Sequence, residues 1–283
     1  MKLKYILPIL FIALMSTSCS TDESNDDPQI VNEVDGLIRI HDIINDTHTI
    51  ELYSKTGNFS TGYNAISMRL MDNTTNLYVE DASITWLPMM QMPTMQHSSP
   101  RSSIAKSLGK DTVYEGYIVY QMTGMDGSGW SLTIDYSIAD MVYTATESIT
   151  VTQAENQNVT SFMADDGSNY VIAMIEPSAP KIAINNLKVG LFRMESMMSF
   201  PIVEDYTIAL DPRMPGMDNH TSSNNTDLSY SAADTMYHAD LSLTMTGYWV
   251  LNLKLLNTMD EVLKGEDVTD DNNQSSLYLE LEF

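Results

Sequence analysis

Cysteine, basic residues and long apolar runs are all scarce in this chain. Its single cysteine, Cys19, has no partner for an intramolecular disulfide. Only 14 Lys and Arg stand against 38 Asp and Glu, a formal net charge of −24. That balance argues against nucleic acid or an anionic membrane surface as a partner, because phosphates are held by cations. The acidic residues are scattered and form no Asp-x-Asp-x-Asp-Gly calcium loop. Beyond the N-terminus no apolar run approaches the roughly 20 residues of a spanning helix. Gly-x-Ser-x-Gly, His-Glu-x-x-His and a Gly-rich phosphate loop are missing too. Carboxylates are abundant, but none stands out as half of a glycosidase pair. No enzymatic activity is expected.

The N-terminal 18 residues carry Lys2 and Lys4, an apolar run from Tyr5 to Met15, and then Ser16, Thr17 and Ser18. This is the pattern of an export signal over 1–18, to be set aside from the fold. Cys19 at its end resembles the lipidated cysteine of bacterial lipoproteins, although Ser16 stands where that motif prefers Leu; the alternative is an ordinary cleavage site. Residues 19–32 are polar and acidic and are expected to form a disordered tether. The acidic run after Cys19 also resembles the export tag of lipoproteins placed on the outer face of the outer membrane. The expected address is therefore an outer-membrane lipoprotein exposed at the cell surface, with a periplasm-facing anchor as the alternative.

With 43% hydrophobic residues in 283 positions, the remaining chain can bury two cores. From Val31 on, short segments alternate with period two between Gly, Asn, Asp and Pro. Examples are Ile50 with Leu52, then Ile66, Met68 and Leu70, and then Ala82, Ile84 and Trp86. Such segments predict an all-β sandwich or barrel. Met259 to Lys264 is the best helical stretch, and it is a turn or two at most.

Internal landmarks recur. Val79-Glu80-Asp81 returns as Val203-Glu204-Asp205, and Met92-Pro93-Thr94-Met95 as Met214-Pro215-Gly216-Met217. Asp111-Thr112 with Tyr114 returns as Asp234-Thr235 with Tyr237, and Met122-Thr123-Gly124 before Trp130 as Met245-Thr246-Gly247 before Trp249. Offsets of 122 to 124 residues predict a duplicated domain, with one copy over 33–155 and the other over 156–283.

The first copy contains the densest chemistry, with Met89, Met90, Met92, Met95 and His97 inside nine residues and Pro88 and Pro93 interrupting them. Proline predicts a loop here, not a helix or a central strand. Thioether and imidazole suit Cu(I), and a thioether needs no deprotonation, so such a site would work in an oxidising compartment. The candidate ligands are Met92, Met95 and His97, with Met89 and Met90 beside them, and in the second copy Met214, Met217 and His220. The competing reading is packing, because Met fills irregular gaps in cores. Packing is the expected role of Met122 and Met245, while Met68, Met71, Met194, Met197 and Met198 are expected in cores or at strand edges. His41 and His48 are expected to be satisfied or solvent-facing, and His238 is a second-rank ligand.

The order of these motifs (Val-Glu-Asp, Met-Pro-x-Met, His, Tyr, Met-x-Gly and Trp) resembles the YtkA-like domain, related to the FixH-like proteins, over about 50–136 and 171–255. The resemblance implies tandem immunoglobulin-like β-sandwiches of a kind found in exported proteins that accompany copper handling and respiratory-oxidase assembly. The expected function is capture, buffering or delivery of a soft metal, Cu(I), with an outer-membrane transporter or a copper-handling protein as partner. The alternative is a metal-free accessory or adhesion-like lipoprotein working with a transporter or a glycan.

Overall fold

The computed structural model describes residues 32–125 and 127–283. The expected signal, Cys19 and all of the tether except Asn32 lie outside the described residues. The chain is all-β, as its alternation predicts.

Eleven strands precede residue 153: β1 (Ile38–Ile44), β2 (His48–Ser54), β3 (Phe59–Ser60), β4 (Gly62–Asp72), β5 (Ser83–Gln91), β6 (Gln96–His97), β7 (Ala105–Lys106), β8 (Tyr114–Tyr120), β9 (Gly129–Ile138), β10 (Met141–Ile149) and β11 (Val151–Thr152). They form two antiparallel sheets, ordered β1-β2-β4-β8-β7 and β10-β9-β5-β6, with a small parallel pair of β11 and β3. One apolar core takes side chains from both sheets. Ile50, Leu52, Ile66, Met68, Leu70 and Ile118 come from the first, and Ile84, Trp86, Met90, Leu132 and Ile134 from the second.

Ten strands follow residue 158: β12 (Val159–Met163), β13 (Asn169–Glu176), β14 (Ala183–Met194), β15 (Thr207–Met214), β16 (His220–Thr221), β17 (Leu228–Ser231), β18 (Met236–Leu243), β19 (Tyr248–Leu256), β20 (Val262–Lys264) and β21 (Leu277–Glu282). Their order is β12-β13-β14-β18-β17-β15-β19-β20, with β16 on β15 and β21 on β19. The pairings of the first half recur in this sheet. The series β12-β13-β14-β18-β17 corresponds to β1-β2-β4-β8-β7, and β16-β15-β19-β21 to β6-β5-β9-β10. One difference is that β17 pairs with both β18 and β15, joining what are separate sheets in the first half. The irregular segment 153–158 lies between the halves, and no ladder of the described strands crosses it.

The halves nevertheless pack against each other. Val119 shares a small apolar cluster with Val171, Ala173 and Phe192, and Tyr63 and Tyr117 pack onto it. The Ser98 amide donates to the Met197 carbonyl at 2.7 Å. Gly62 has φ +96°, and a Cβ there would lie 2.5 Å from the Asn158 side chain. Glycine is thus required on both steric and conformational grounds.

Two local expectations change. Pro88 is not in a loop but inside β5, paired with Leu132 of β9. Proline is tolerated because β6 reaches only Met90 and Gln91 on the other side, which leaves β5 an edge strand at Pro88. The stretch Met259 to Lys264 forms no helical turn, and Val262–Lys264 is strand β20 on the edge of β19.

Strand β2 is buried on both faces. The face turned away from the core holds Glu51, which accepts from Tyr53 at 2.6 Å and Tyr78 at 3.0 Å and pairs with Arg39 at 2.6 Å. A buried carboxylate is tolerated because three donors converge on it. His48 is likewise buried, edge-on to the rings of Tyr136 and Tyr143 at 5.4 and 4.8 Å.

Burial lowers the His48 imidazole below its ordinary pKa, with the Asp72 carboxylate opposing. As pH falls through about 6.5, the unfolded chain therefore takes up a proton before the folded one. The stabilising contribution is complete above that pH and is lost below it. The urea midpoint is expected to fall from about pH 7 to about pH 5 by more in the wild type than in His48→Phe. Parallel declines in the two proteins would remove His48 as the group responsible.

Candidate metal centre

The hairpin of β5 and β6 sets the geometry of the sulfur-rich stretch. Met90 and His97 are directly opposed across it. In the second half Met214 and His220 are opposed in the same way across β15 and β16. Pro88 pairs with Leu132 and Pro212 with Leu251, so Pro88-Met89-Met90 corresponds in space to Pro212-Arg213-Met214. The structural register thus differs by two residues from the overlay of Met92-Pro93-Thr94-Met95 on Met214-Pro215-Gly216-Met217.

The corrected register separates two kinds of methionine. Met90 is fully buried and Met214 is 5% exposed, each within the core of its own half. Both are packing residues. Met89 lies on the face of β5 opposite to Met90 and is half-buried. Met217 is 54% exposed on the short 3-10 turn after β15, and His220 is exposed with its Nε2 3.4 Å from Thr244 Oγ1. The second copy therefore does not draw its three candidate ligands together, because one is in the core and another projects from the turn.

The first copy does. Met92, Met95 and His97 line one cavity of about 400 Å³, and its far wall belongs to the second half. That wall contributes Met163 from β12, Met194 from the end of β14 and Met197 from the turn beyond it. Met122 lies on the near side, so six thioethers and one imidazole share the cavity. The Ser98 to Met197 backbone bond closes it at one edge.

The state of the imidazole follows from its neighbour. Nδ1 of His97 lies 2.7 Å from the Ser98 carbonyl, which can only accept, so Nδ1 carries the proton. In the neutral ring this tautomer leaves the Nε2 lone pair free, the form in which histidine binds a metal. The Trp130 ring holds the imidazole edge-on at 5.6 Å. Among the described residues no three His, Cys, Asp or Glu side chains gather in a way that could hold a metal ion. The donor set of this cavity is therefore neutral and soft, which fits Cu(I) better than a hard divalent ion. Only a subset of the six sulfurs can reach one ion in a cavity of this size. Gln121 Oε1, shielded from solvent at the same cavity, has no hydrogen-bond partner.

A scan against protein-family models finds no match, and no curated protein matches the chain. The assignment of roles consequently rests on the geometry above.

Of these lining residues, Met92, Met95 and His97 are candidates by sequence, whereas Met194 and Met197 are expected in a core or at a strand edge and Met163 carries no signal. The dense run Met194-Glu195-Ser196-Met197-Met198 was the available signal. Nothing local connects it to His97, which is 100 positions away from Met197 in the chain.

Core and cavity methionines should respond differently to truncation. Met90→Ala is expected to cost about 2–5 kcal/mol in urea unfolding, through lost burial plus a residual cavity. Met95→Ala, at a residue 45% exposed, should stay within about 0.5 kcal/mol of the wild type. Equal losses would mean that Met95 is a packing residue as well.

Proposed function

We propose that this protein is an exported, lipid-anchored, non-enzymatic carrier that binds a soft metal ion, Cu(I), between its two halves. The observation that carries the reading is the shared cavity. Met92, Met95 and His97 face Met163, Met194 and Met197 there, and the Ser98 carbonyl engages Nδ1 of His97 rather than Nε2. None of the donors is a carboxylate or a thiolate, so binding does not depend on a thiolate that oxidation would destroy.

Export and anchoring through Cys19 follow from the N-terminal sequence, and with them a place on the outer membrane, facing outward or toward the periplasm. No helix among the described residues is long and apolar enough to cross a membrane. The motif order supports kinship with the YtkA-like domains and, through it, a role in copper capture, buffering or delivery to a membrane partner.

A second reading has a specific observation behind it. Met90 and Met214 are the residues that correspond between the halves, and both are buried. The repeated Met and His would then serve the hairpin's packing, and the cavity would hold an apolar group of a partner or of a small ligand. The protein would be a metal-free accessory lipoprotein.

An anaerobic titration of Cu(I) against a chromophoric chelator separates the two. The wild type is expected to compete for the metal, and the combined replacement of Met95, His97 and Met197 by Ala to weaken that competition by about tenfold or more. Met217→Ala should leave it unchanged. Absence of competition by the wild type, or competition that survives the triple replacement, would favour the metal-free reading.

A further inference from the structure

A second cavity, of about 430 Å³, lies between the halves and contains no candidate metal ligand. Its notable charge is Arg101, on the segment between β6 and β7. Most arginines of this acidic chain are matched by carboxylates. Arg39 grips Asp42 through Nε at 2.6 Å and Nη2 at 2.7 Å, and Arg213 grips Asp211 through the same two nitrogens at 2.7 and 2.9 Å. Arg101 differs. Its Nη1 donates to Ser98 Oγ at 2.9 Å and to the Ser99 carbonyl at 3.3 Å, which fixes the guanidinium plane. Among the described residues its Nε and Nη2 have no acceptor, and no carboxylate pairs with it. Burial without a compensating acid draws its pKa down.

The cavity holds a second unmet polar group. Ser99 is fully buried, and its Oγ has no hydrogen-bond partner. A buried hydroxyl without a partner is unfavourable, and the half-buried guanidinium edge has no protein acceptor, so a ligand that supplies acceptors meets both. The remaining wall mixes apolar side chains, Trp86, Ile104 and Phe200 among them, with Thr85, Ser102, Ser103 and Ser199. The Trp86 indole is itself satisfied, donating to the Ser102 carbonyl at 2.8 Å.

We propose that this cavity binds a small organic carboxylate, its two oxygens on the Nε and Nη2 edge of Arg101 and its apolar body against Trp86, Ile104 and Phe200. A carboxylate is the match because two other arginines of the same chain hold carboxylates by that edge in a side-on, bidentate manner. Ser99 donates to the bound head group. None of the sulfur ligands lines this cavity, although Phe200 is a wall of both cavities.

The chain has three tryptophans, and only the Trp86 indole lines this cavity. Its N–H signal in a 15N-labelled protein therefore reports on the site, with Trp249 as the internal control. Sodium benzoate is expected to move the Trp86 signal saturably and leave Trp249 in place, whereas benzyl alcohol should move neither. Arg101→Lys keeps the charge and loses the fork, and should weaken benzoate about tenfold or more while the Trp130 and Trp249 signals hold their positions. Ser99→Ala removes a hydroxyl that has no partner without ligand. It should leave the thermal midpoint of the free protein undiminished while weakening benzoate about threefold. The proposal is overturned if benzoate produces no saturable shift, if Arg101→Lys binds benzoate like the wild type, or if inorganic phosphate displaces benzoate at equal or lower concentration.

Discussion

The position of each sulfur-bearing hairpin depends on one buried indole. Trp130 donates through Nε1 to the Met122 carbonyl at 2.8 Å, and Trp249 to the Met245 carbonyl at 3.1 Å. A buried N–H without a partner costs about 1–3 kcal/mol, so the carbonyl must stay where the ring needs it. That requirement fixes the chain just before the strand that carries the tryptophan. The indole then becomes a rigid wall for the hairpin beside it, with His97 against Trp130 and His220 against Trp249. The far end of each half is pinned by a tyrosine. Tyr114 donates to the Glu80 carbonyl at 2.5 Å and accepts from the Ala82 amide, and Tyr237 bonds in the same way to Val203 and Tyr206. Two polar pins per half thus set where β5 and β15 run, and the orientation of the candidate ligands follows from them.

These pins explain why certain sequence landmarks recur and why others mislead. Val-Glu-Asp, Tyr, Met-Thr-Gly and Trp repeat because they supply the carbonyls, hydroxyls and indoles of the two scaffolds. Period-two alternation made the strands legible, since Ile66, Met68 and Leu70 or Trp130, Leu132 and Ile134 face a core at every second position. The Met-Pro-x-Met overlay slipped by two residues because local identity rewards aligned prolines, whereas pairing across the sheet places Pro88 with Pro212. Proline marks the loop at Pro93 but not at Pro88, because an edge strand does not need every amide. The second wall of the sulfur cavity was not legible. Met163, Met194 and Met197 share the cavity of His97 across the contact between two apolar cores, and no spacing rule encodes that contact.

The contact between the halves is apolar where Val119 meets Val171 and Phe192. Both cavities are gaps beside that contact, each lined from both halves. Side chains placed in such gaps are released from the packing demands of a core. Methionine at a core position such as Met90 is held by its neighbours, whereas Met95 and Met197 retain freedom to turn their sulfurs toward a ligand.

The charge of the chain imposes different conditions on the two cavities. A net charge of −24 attracts cations of every kind, so the field by itself gives no selectivity for one metal. Selectivity has to come from the donors, and neutral thioethers favour a soft ion while offering little to the hard cations that an acidic surface also concentrates. For an anion the same field is a barrier. A carboxylate can be held only where short-range terms exceed that repulsion, which requires a guanidinium already stripped of part of its water and denied an internal partner. Arg39 and Arg213 do not meet that condition because their own carboxylates occupy them. Arg101 meets it because both serines that fix its plane contact Nη1 alone, leaving the two-pronged edge open beside an apolar wall.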